Sequence, residues 1–287
     1  MVFCYVILHY RTDKDTVECI NSIFNTDDKS FVVVVDNASG NGSIENVENA
    51  FKDNERVHII KNSENLGFAG GNNTGYKYAR EVLHADYIAL SNNDIIIVSK
   101  DFPDRVRELY DKTAFSVMGP DIVSLVDDGH QNPMEESYHS AREVKKEISR
   151  YKMLLAISKC GLYDLLKPNR KVRTGTTNKT VPEKITDNVT LHGSFMVFSP
   201  AFVEHEEIAF REGTFLYVEE AILSRYCRTK DYKMVFDPEL CVHHKEDSST
   251  NSLKLSNRER REFVFRNMIQ SLSVYLKYFD QPDNAGR

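Results

Sequence analysis

No Cys-x-x-Cys pair occurs in this 287-residue chain, although it holds five cysteines. Cys4, Cys19, Cys160, Cys227 and Cys241 are widely spaced, which excludes a zinc ribbon or a thioredoxin-type centre. An odd, scattered set fits free thiols in a reducing cytoplasm. Nor is there an apolar run near the ~18 residues of a bilayer-spanning helix. The apolar start, Met1 to Tyr10, has neither a basic n-region nor a small-residue cleavage site, so no secretory signal is expected. Positive charge is not in excess: 37 Lys plus Arg stand against 43 Asp plus Glu, a formal charge of −6. Nucleic-acid binders are usually basic, so nucleic acid is not an expected partner. Internal repeats and low-complexity segments are missing too. What is present is ordinary for a soluble globular protein, with 41% hydrophobic and 28% charged residues. The length allows one large domain or two small ones, with a sizeable core.

The first hundred residues alternate two periodicities. Val2 to Leu8, Phe31 to Val35, Val57 to Ile60 and Tyr87 to Leu90 are short apolar, β-rich runs, the mark of strands buried on both faces. Between them Val17, Ile20 and Phe24, then Ile44, Val47 and Phe51, recur at helical spacing. Thr12-Asp13-Lys14-Asp15 offers a capping-box-like start to the first helix. Gly67 to Gly75 reads as a glycine- and asparagine-rich turn leading into a helix through Tyr76 and Val82. Strands alternating with helices predict an α/β fold, a mostly parallel central sheet flanked by helices. In such sheets ligands bind beyond the carboxyl ends of the strands. Four loops lie there: His9-Tyr10-Arg11, Asp36-Asn37, Asn65 to Asn73, and Asn92 to Asp94.

The remainder is less regular. Residues 140–184 hold 12 Lys/Arg against 4 Asp/Glu, a local balance of +8. Val144, Ile148, Tyr151 and Leu155 predict a helix there, while Pro168 and Thr174-Gly175-Thr176-Thr177 read as loop. Val189 to Ser199 reads as a strand, as does Met234-Val235-Phe236, ending near Pro238. Ser256-Asn257-Arg258-Glu259 is a capping box. The helix after it carries Phe265, Met268, Ile269, Leu272, Tyr275 and Phe279 along one face.

Each polar motif has a structural reading beside a functional one. Asp36-Asn37 closes a buried strand, where Asp and Asn favour turns; the same carboxylate can accept hydrogen bonds from a nucleotide base or ribose. Asn65 to Asn73 is loop geometry, or a helix N-terminus whose N–H groups bind phosphate. Its spacing matches neither G-x-G-x-x-G nor a P-loop. Asn92-Asn93-Asp94 is a turn, or an oxygen ligand for a hard cation whose shell substrate phosphates complete. Glu219-Glu220, inside the apolar Phe215 to Leu223, is an exposed helix start or a general base with a raised pKa. His243-His244 is a polar loop, or an extended pair whose side chains point apart, so that at most one ligates a given metal.

In this order the motifs resemble the family-two glycosyltransferases of the GT-A fold, in their bacterial polysaccharide and rhamnosyltransferase-like branch. The resemblance rests on Val6 to Arg11, Val33 to Ser39, Asn65-Leu66-Gly67-Phe68-Ala69-Gly70-Gly71-Asn72-Asn73 and Leu90 to Asp94. It continues through His192-Gly193-Ser194-Phe195-Met196, Phe215 to Leu223, and His244 with Ser248-Ser249. It implies a Rossmann-like GT-A sheet with a helical acceptor-side insertion and a C-terminal helix. It implies transfer of a sugar, with inversion, from a nucleotide-diphosphate-sugar donor to an acceptor hydroxyl, in bacterial cell-surface polysaccharide synthesis. Residues 1–100 are then the donor-binding half, contacting the donor through Tyr10, Arg11, Asp36, Asn37, Asn65, Gly67, Asn72 and Asn93. Residues 101–255 are the acceptor-binding and catalytic half, with the basic insertion 140–184, and 256–287 are the C-terminal helix and tail. Asp94 takes the place of the last Asp of the family's D-x-D motif, which holds Mn2+ or Mg2+ against the diphosphate; Asn92 stands at its first Asp. His244 matches the family's late His, a second metal ligand. Glu220 falls on the catalytic acidic position, Asp in many relatives, with Glu219 just before it. Ile222 stands where relatives often carry another Asp.

Two other readings stay open. A sugar nucleotidyltransferase shares the fold, but needs a Gly-rich basic loop where His9-Tyr10-Arg11 stands. A non-catalytic nucleotide- or carbohydrate-binding homologue is favoured by the single Asp in 92–94. The expected partners are a nucleotide-sugar donor and a saccharide or lipid-linked saccharide acceptor, with a homodimer as assembly. Lys145, Lys146, Arg150, Lys152, Arg170, Lys171 and Arg173 are either a solvated face or a surface for anionic headgroups, at about 1 kcal/mol per basic residue. The expected location is the cytoplasm, peripherally at the inner face of the membrane.

Overall fold

The computed structural model describes residues 1–27, 29–136, 138–163, 181–246 and 256–279. In chain order it runs β1 (Phe3–His9), α1 (Asp13–Thr26), β2 (Phe31–Asp36), α2 (Ser43–Phe51), β3 (Val57–Lys61), α3 (Gly67–Glu81), β4 (Tyr87–Asn92), β5 (Ile95–Ile97), α4 (Phe102–Thr113) and β6 (Val117–Ser124). Then come α5 (Ala141–Lys159), β7 (Thr186–Asp187), β8 (Phe195–Phe198), α6 (Pro200–Val203), α7 (Glu219–Thr229), β9 (Met234–His244) and α8 (Asn257–Phe279).

The strands form where the apolar runs lie, and parity divides their side chains. Tyr5, Ile7, Val32 and Val34 enter one apolar layer with Ile20 of α1, Val47 of α2 and Val106 of α4. Cys4, Val6, Val33 and Val35 enter the opposite layer with Tyr76 and Ala79 of α3. Each fully buried aliphatic side chain contributes about 1.5–3 kcal/mol, which drives this three-layer arrangement. Across β3-β2-β1-β4 the sheet is parallel, as expected. Beyond β4 it continues as β8-β6-β9-β5 and becomes mixed: β8 is antiparallel to β4 and β6, and β9 is parallel to β6. One sheet therefore runs through both halves of the sequence.

Several local expectations change. Gly67 to Gly75 is not a turn, because α3 begins at Gly67. A Cβ at Gly71 would lie 2.4 Å from Leu8 Cδ1, and one at Gly75 only 2.2 Å from Val6 Cγ1. These glycines let α3 lie close against β1. Of Val189 to Ser199 only Phe195–Phe198 is strand, and Gly193-Ser194 form a turn before it. β9 does not stop near Pro238. Its register with β6 slips from Pro120 opposite Asp237 to Asp121 opposite Cys241. Pro238 thus sits in a bulge, where its missing N–H costs no ladder bond. His243-His244 accordingly end a strand instead of lying in a polar loop.

The Thr12 hydroxyl does not cap α1; it accepts from Asn93 Nδ2 at 2.6 Å. The box at Ser256 does close: Ser256 N–H donates to Glu259 Oε2 at 2.9 Å, and Glu259 N–H donates to Ser256 Oγ at 3.3 Å. Val144 and Ile148 of α5 join Ile222, Leu272 and Tyr275 in a third apolar cluster between α5, α7 and α8. Tyr151 packs beside it, Leu155 is half-buried, and Lys145, Lys146, Arg150 and Lys152 are exposed. Pro168, Arg170, Lys171, Arg173, Thr174 to Thr177 and Ser248-Ser249 lie outside the described residues. All five cysteines are free thiols. Among the described residues no helix is long and apolar enough to cross a membrane.

Candidate active site

Two strand ends deliver the first pair of side chains. Asp94 lies in the two-residue turn between β4 and β5 and His244 ends β9, and the antiparallel pairing of Ile95 with His244 sets them side by side. His244 Nε2 lies 3.3 Å from Asp94 Oδ1, with both side chains more than nine-tenths buried, at 9% and 6% exposure. On its other edge, His244 Nδ1 meets Gln131 Oε1 at 2.8 Å. An imidazole nitrogen and a carboxylate oxygen this close are donor types that Mn2+ accepts together. Among the described residues no group of three or more His, Cys, Asp or Glu converges as a metal site. A cation held by this pair keeps further positions for phosphate or water oxygens.

The acid pair comes next. Tyr217 and Val218 both hold positive φ, 74° and 72°, a conformation that costs non-glycine residues on the order of 1–3 kcal/mol each. This strained entry starts α7 at Glu219. Glu220 lies close against Gly193: a Cβ on Gly193 would lie 2.4 Å from Glu220 Oε1. The neighbouring His192 ring stands 6.0 Å from that of His244. The 192–194 turn therefore links the acid pair to Asp94 and His244. The helix start is not exposed, since Glu219 is only 4% accessible. Burial raises Glu220 above the ordinary carboxylate range. Burial, then the charge of Glu220, push Glu219 up to about 8. Two carboxyls this close cannot both ionise easily, so near neutral pH the pair holds on to a proton. Glu220 also lines a cavity of about 190 Å3 with Glu136, Tyr138, Tyr217, Met268 and Tyr275, whereas Glu219 does not.

At the carboxyl ends of β1 and β2 a second cluster forms around Ser39. Asp36 Oδ1 accepts both the Ser39 N–H and its hydroxyl. Arg11 N–H donates to Ser39 Oγ at 2.9 Å and its guanidinium to Ser39 O at 3.3 Å, while lying over the Tyr10 ring at 5.1 Å. Tyr10, Arg11 and Asp36 are therefore neighbours at the edge of the sheet where the crevice was expected.

The other donor-side candidates do different work. Asn37 donates to Asn65 Oδ1 and Gly67 O, and accepts from Asn62 Nδ2 and Leu66 N–H. Its amide is thereby saturated, and it shapes the loop before α3. Asn65 Oδ1 also accepts the Gly67 N–H at 2.9 Å. Gly67 has φ +73°, and a Cβ there would lie 2.2 Å from Phe215 O. Asn72 donates to Phe68 O within α3. Asn93 donates to Thr12 O, Thr12 Oγ1 and Thr16 Oγ1, tying the end of β4 to α1. Asn37, Gly67 and the Asn93 amide nitrogen thus make their recorded contacts within the chain, around the loop before α3 and the end of β4.

Two residues at the site were assigned no role from sequence. His192 was quoted only within a matching stretch; burial, then the neighbouring His244, push it down to about 3, so it stays neutral. Gln131 carries no motif, and only the fold brings it to His244.

Comparison with known proteins bears on family and fold. Residues 4–166, more than half of the chain, match Glycosyl transferase family 2. The hexosyltransferase Agl10 of low-salt glycan biosynthesis in Haloferax volcanii is 27% identical over 122 residues, 42% of this chain and 36% of that protein. The chain thus matches about a third of that relative's length. A crystal structure of S. aureus TarS 1-349 with UDP superposes with TM-score 0.53 at 13% identity, over 93% of this chain and 71% of that one. GalNAc-T7 with UDP, GalNAc and Mn2+ gives TM-score 0.59 at 11% identity, over 87% and 45%. At such identities the structural likeness concerns the fold, which is GT-A. The chain belongs to glycosyl transferase family 2.

Proposed function

We propose that this member of glycosyl transferase family 2 is a metal-assisted, inverting hexosyltransferase. Its donor is a nucleotide-diphosphate sugar, its acceptor a saccharide or lipid-linked saccharide, and its setting bacterial cell-surface polysaccharide synthesis. The observation that carries the reading is the convergence of Glu220, through the Gly193 turn and His192, on the 3.3 Å pair of Asp94 and His244.

In this reading Tyr10, Arg11 and Asp36 receive the base and ribose. Asp94 and His244 hold Mn2+ or Mg2+, which when bound neutralises charge on the leaving diphosphate. The acceptor ring enters the cavity lined by Tyr138, Tyr217 and Tyr275. At about 190 Å3 it is smaller than the roughly 300 Å3 floor of drug-sized sites, room for one ring. Glu220 takes the acceptor hydroxyl proton as that oxygen bonds the sugar C1. The bond from C1 to the diphosphate oxygen breaks, and its electron pair leaves with the diphosphate. One in-line displacement inverts the anomeric centre.

A panel of nucleotide sugars with Mn2+ or Mg2+, read by release of nucleoside diphosphate, tests the proposal. Metal-dependent release from one or a few donors is expected. A protein that binds UDP but turns over no donor, even by slow hydrolysis, is instead a binding homologue.

A further inference from the structure

We infer that Gln131 is a positioning residue that sets His244 in its metal-binding tautomer, an inference that rests on the metal reading above. The Gln131 side chain is buried and its amide has unlike partners at its two ends. Nε2 donates to Glu246 Oε1 at 2.7 Å, and Oε1 faces His244 Nδ1 at 2.8 Å. The amide thus presents its N–H to Glu246 and its oxygen to His244, and that oxygen requires a proton on His244 Nδ1. In the neutral ring Nε2 then keeps its lone pair, 3.3 Å from Asp94 Oδ1. With the opposite tautomer, Nε2–H would donate to Asp94 and close the pair to a cation.

Gln131 is held in register by the chain around it. Its N–H donates to Ile122 O at 2.9 Å, and the adjacent Asn132 Nδ2 donates to Pro120 O at 2.8 Å. The relay Glu246, Gln131, His244, Asp94 thus joins three separate stretches of sequence. Partners of this kind fix the ring orientation and basicity of metal-bound histidines.

The probe is Mn2+ in the presence of UDP, read by the electron paramagnetic resonance signal of free Mn2+. Gln131→Met keeps the side-chain length without its polar end and is expected to weaken Mn2+ uptake about 10–100-fold. UDP affinity without metal should not change. Glu246→Gln, at a less buried position, lets the amide turn over and is expected to weaken uptake by a smaller factor; it carries the test if Gln131→Met does not fold. Imidazole 15N–1H correlation of the Mg2+–UDP complex should show His244 protonated at Nδ1, with a tautomer mixture in Gln131→Met. Wild-type Mn2+ affinity in both variants, or a proton on Nε2 in that complex, overturns the inference while leaving the metal site standing. A wild-type protein that takes up no Mn2+ with UDP overturns the metal reading itself, and the inference with it.

Discussion

Replacing Glu220 by Gln removes a proton acceptor and little else. The carboxamide of Glu220→Gln still fits a space so tight that a Cβ on Gly193 would lie 2.4 Å from the side chain. Volume and shape are retained, so the loss falls on chemistry. General-base removal costs about 10²–10⁴-fold in rate, or about 2.7–5.4 kcal/mol in the barrier. The assay is kcat under saturating donor and acceptor, with nucleoside diphosphate affinity by calorimetry as the control. The affinity should stay near wild type while kcat falls by that factor. In the wild type kcat should rise with pH as the acid pair loses its first proton, with the apparent value belonging to the pair. The same pair predicts a stability signature. Glu219 is raised from its ordinary 4.5 to about 8 in the fold. A raised carboxyl gives stability that is present in full below the unfolded value and lost as pH rises through the folded one. Thermal stability should therefore fall between about pH 4.5 and 8, by a few kcal/mol at most. Glu219→Gln should flatten that decline. Near-normal turnover in Glu220→Gln with Glu219→Gln inactive would move the base one residue back. Near-normal turnover in both would refute a carboxylate base on α7.

Asp36→Ala is expected to weaken nucleoside diphosphate binding by roughly 1–3 kcal/mol, as for a lost charge-assisted hydrogen bond; unchanged calorimetric affinity in a folded variant would remove Asp36 from the donor site. Activity should vanish in excess chelator and return with Mn2+ or Mg2+, and Asp94→Asn should raise the metal concentration required; full activity in chelator would end the metal reading. Gly75→Ala should lower the melting temperature although Ala is the better helix former by about 1 kcal/mol, because its Cβ would lie 2.2 Å from Val6 Cγ1 and 2.8 Å from Val35 Cγ2; a rise would show that α3 can lift from the sheet without cost. If the basic insertion meets anionic lipid, the protein should bind anionic vesicles at low salt and lose them when Lys145, Lys146, Arg170 and Lys171 are all changed to Ser; indifference of the wild type to such vesicles would leave a solvated face.

The parallel half of the sheet was legible because each strand is a short β-rich run buried on both faces, and that pattern survives any tertiary context. The far half was not. β9 contains Pro238, which reads as a stop, and only the register slip opposite β6 shows that the strand continues to His244. That slip has a functional consequence: it carries His244 to Asp94, 150 residues earlier in sequence. The glycine stretch misled for a related reason. Glycine is read as a turn former, yet at Gly71 and Gly75 its value is the missing Cβ, and which atoms that Cβ would strike is decided by β1, not by its own neighbours in sequence. Asn37 was chosen by its position at a strand end, but the saturation of its amide within the chain is a three-dimensional property. Motif reading thus finds residues whose type is chemically unusual for their surroundings, such as the acid pair in an apolar stretch. It misses residues such as Gln131, ordinary in sequence, that matter because of which atom they present. The site is therefore best tested through its supporting residues as well as its acids, since in the proposed metal reading a carboxylate at Asp94 would bind a cation well only if His244 turned the right nitrogen toward it.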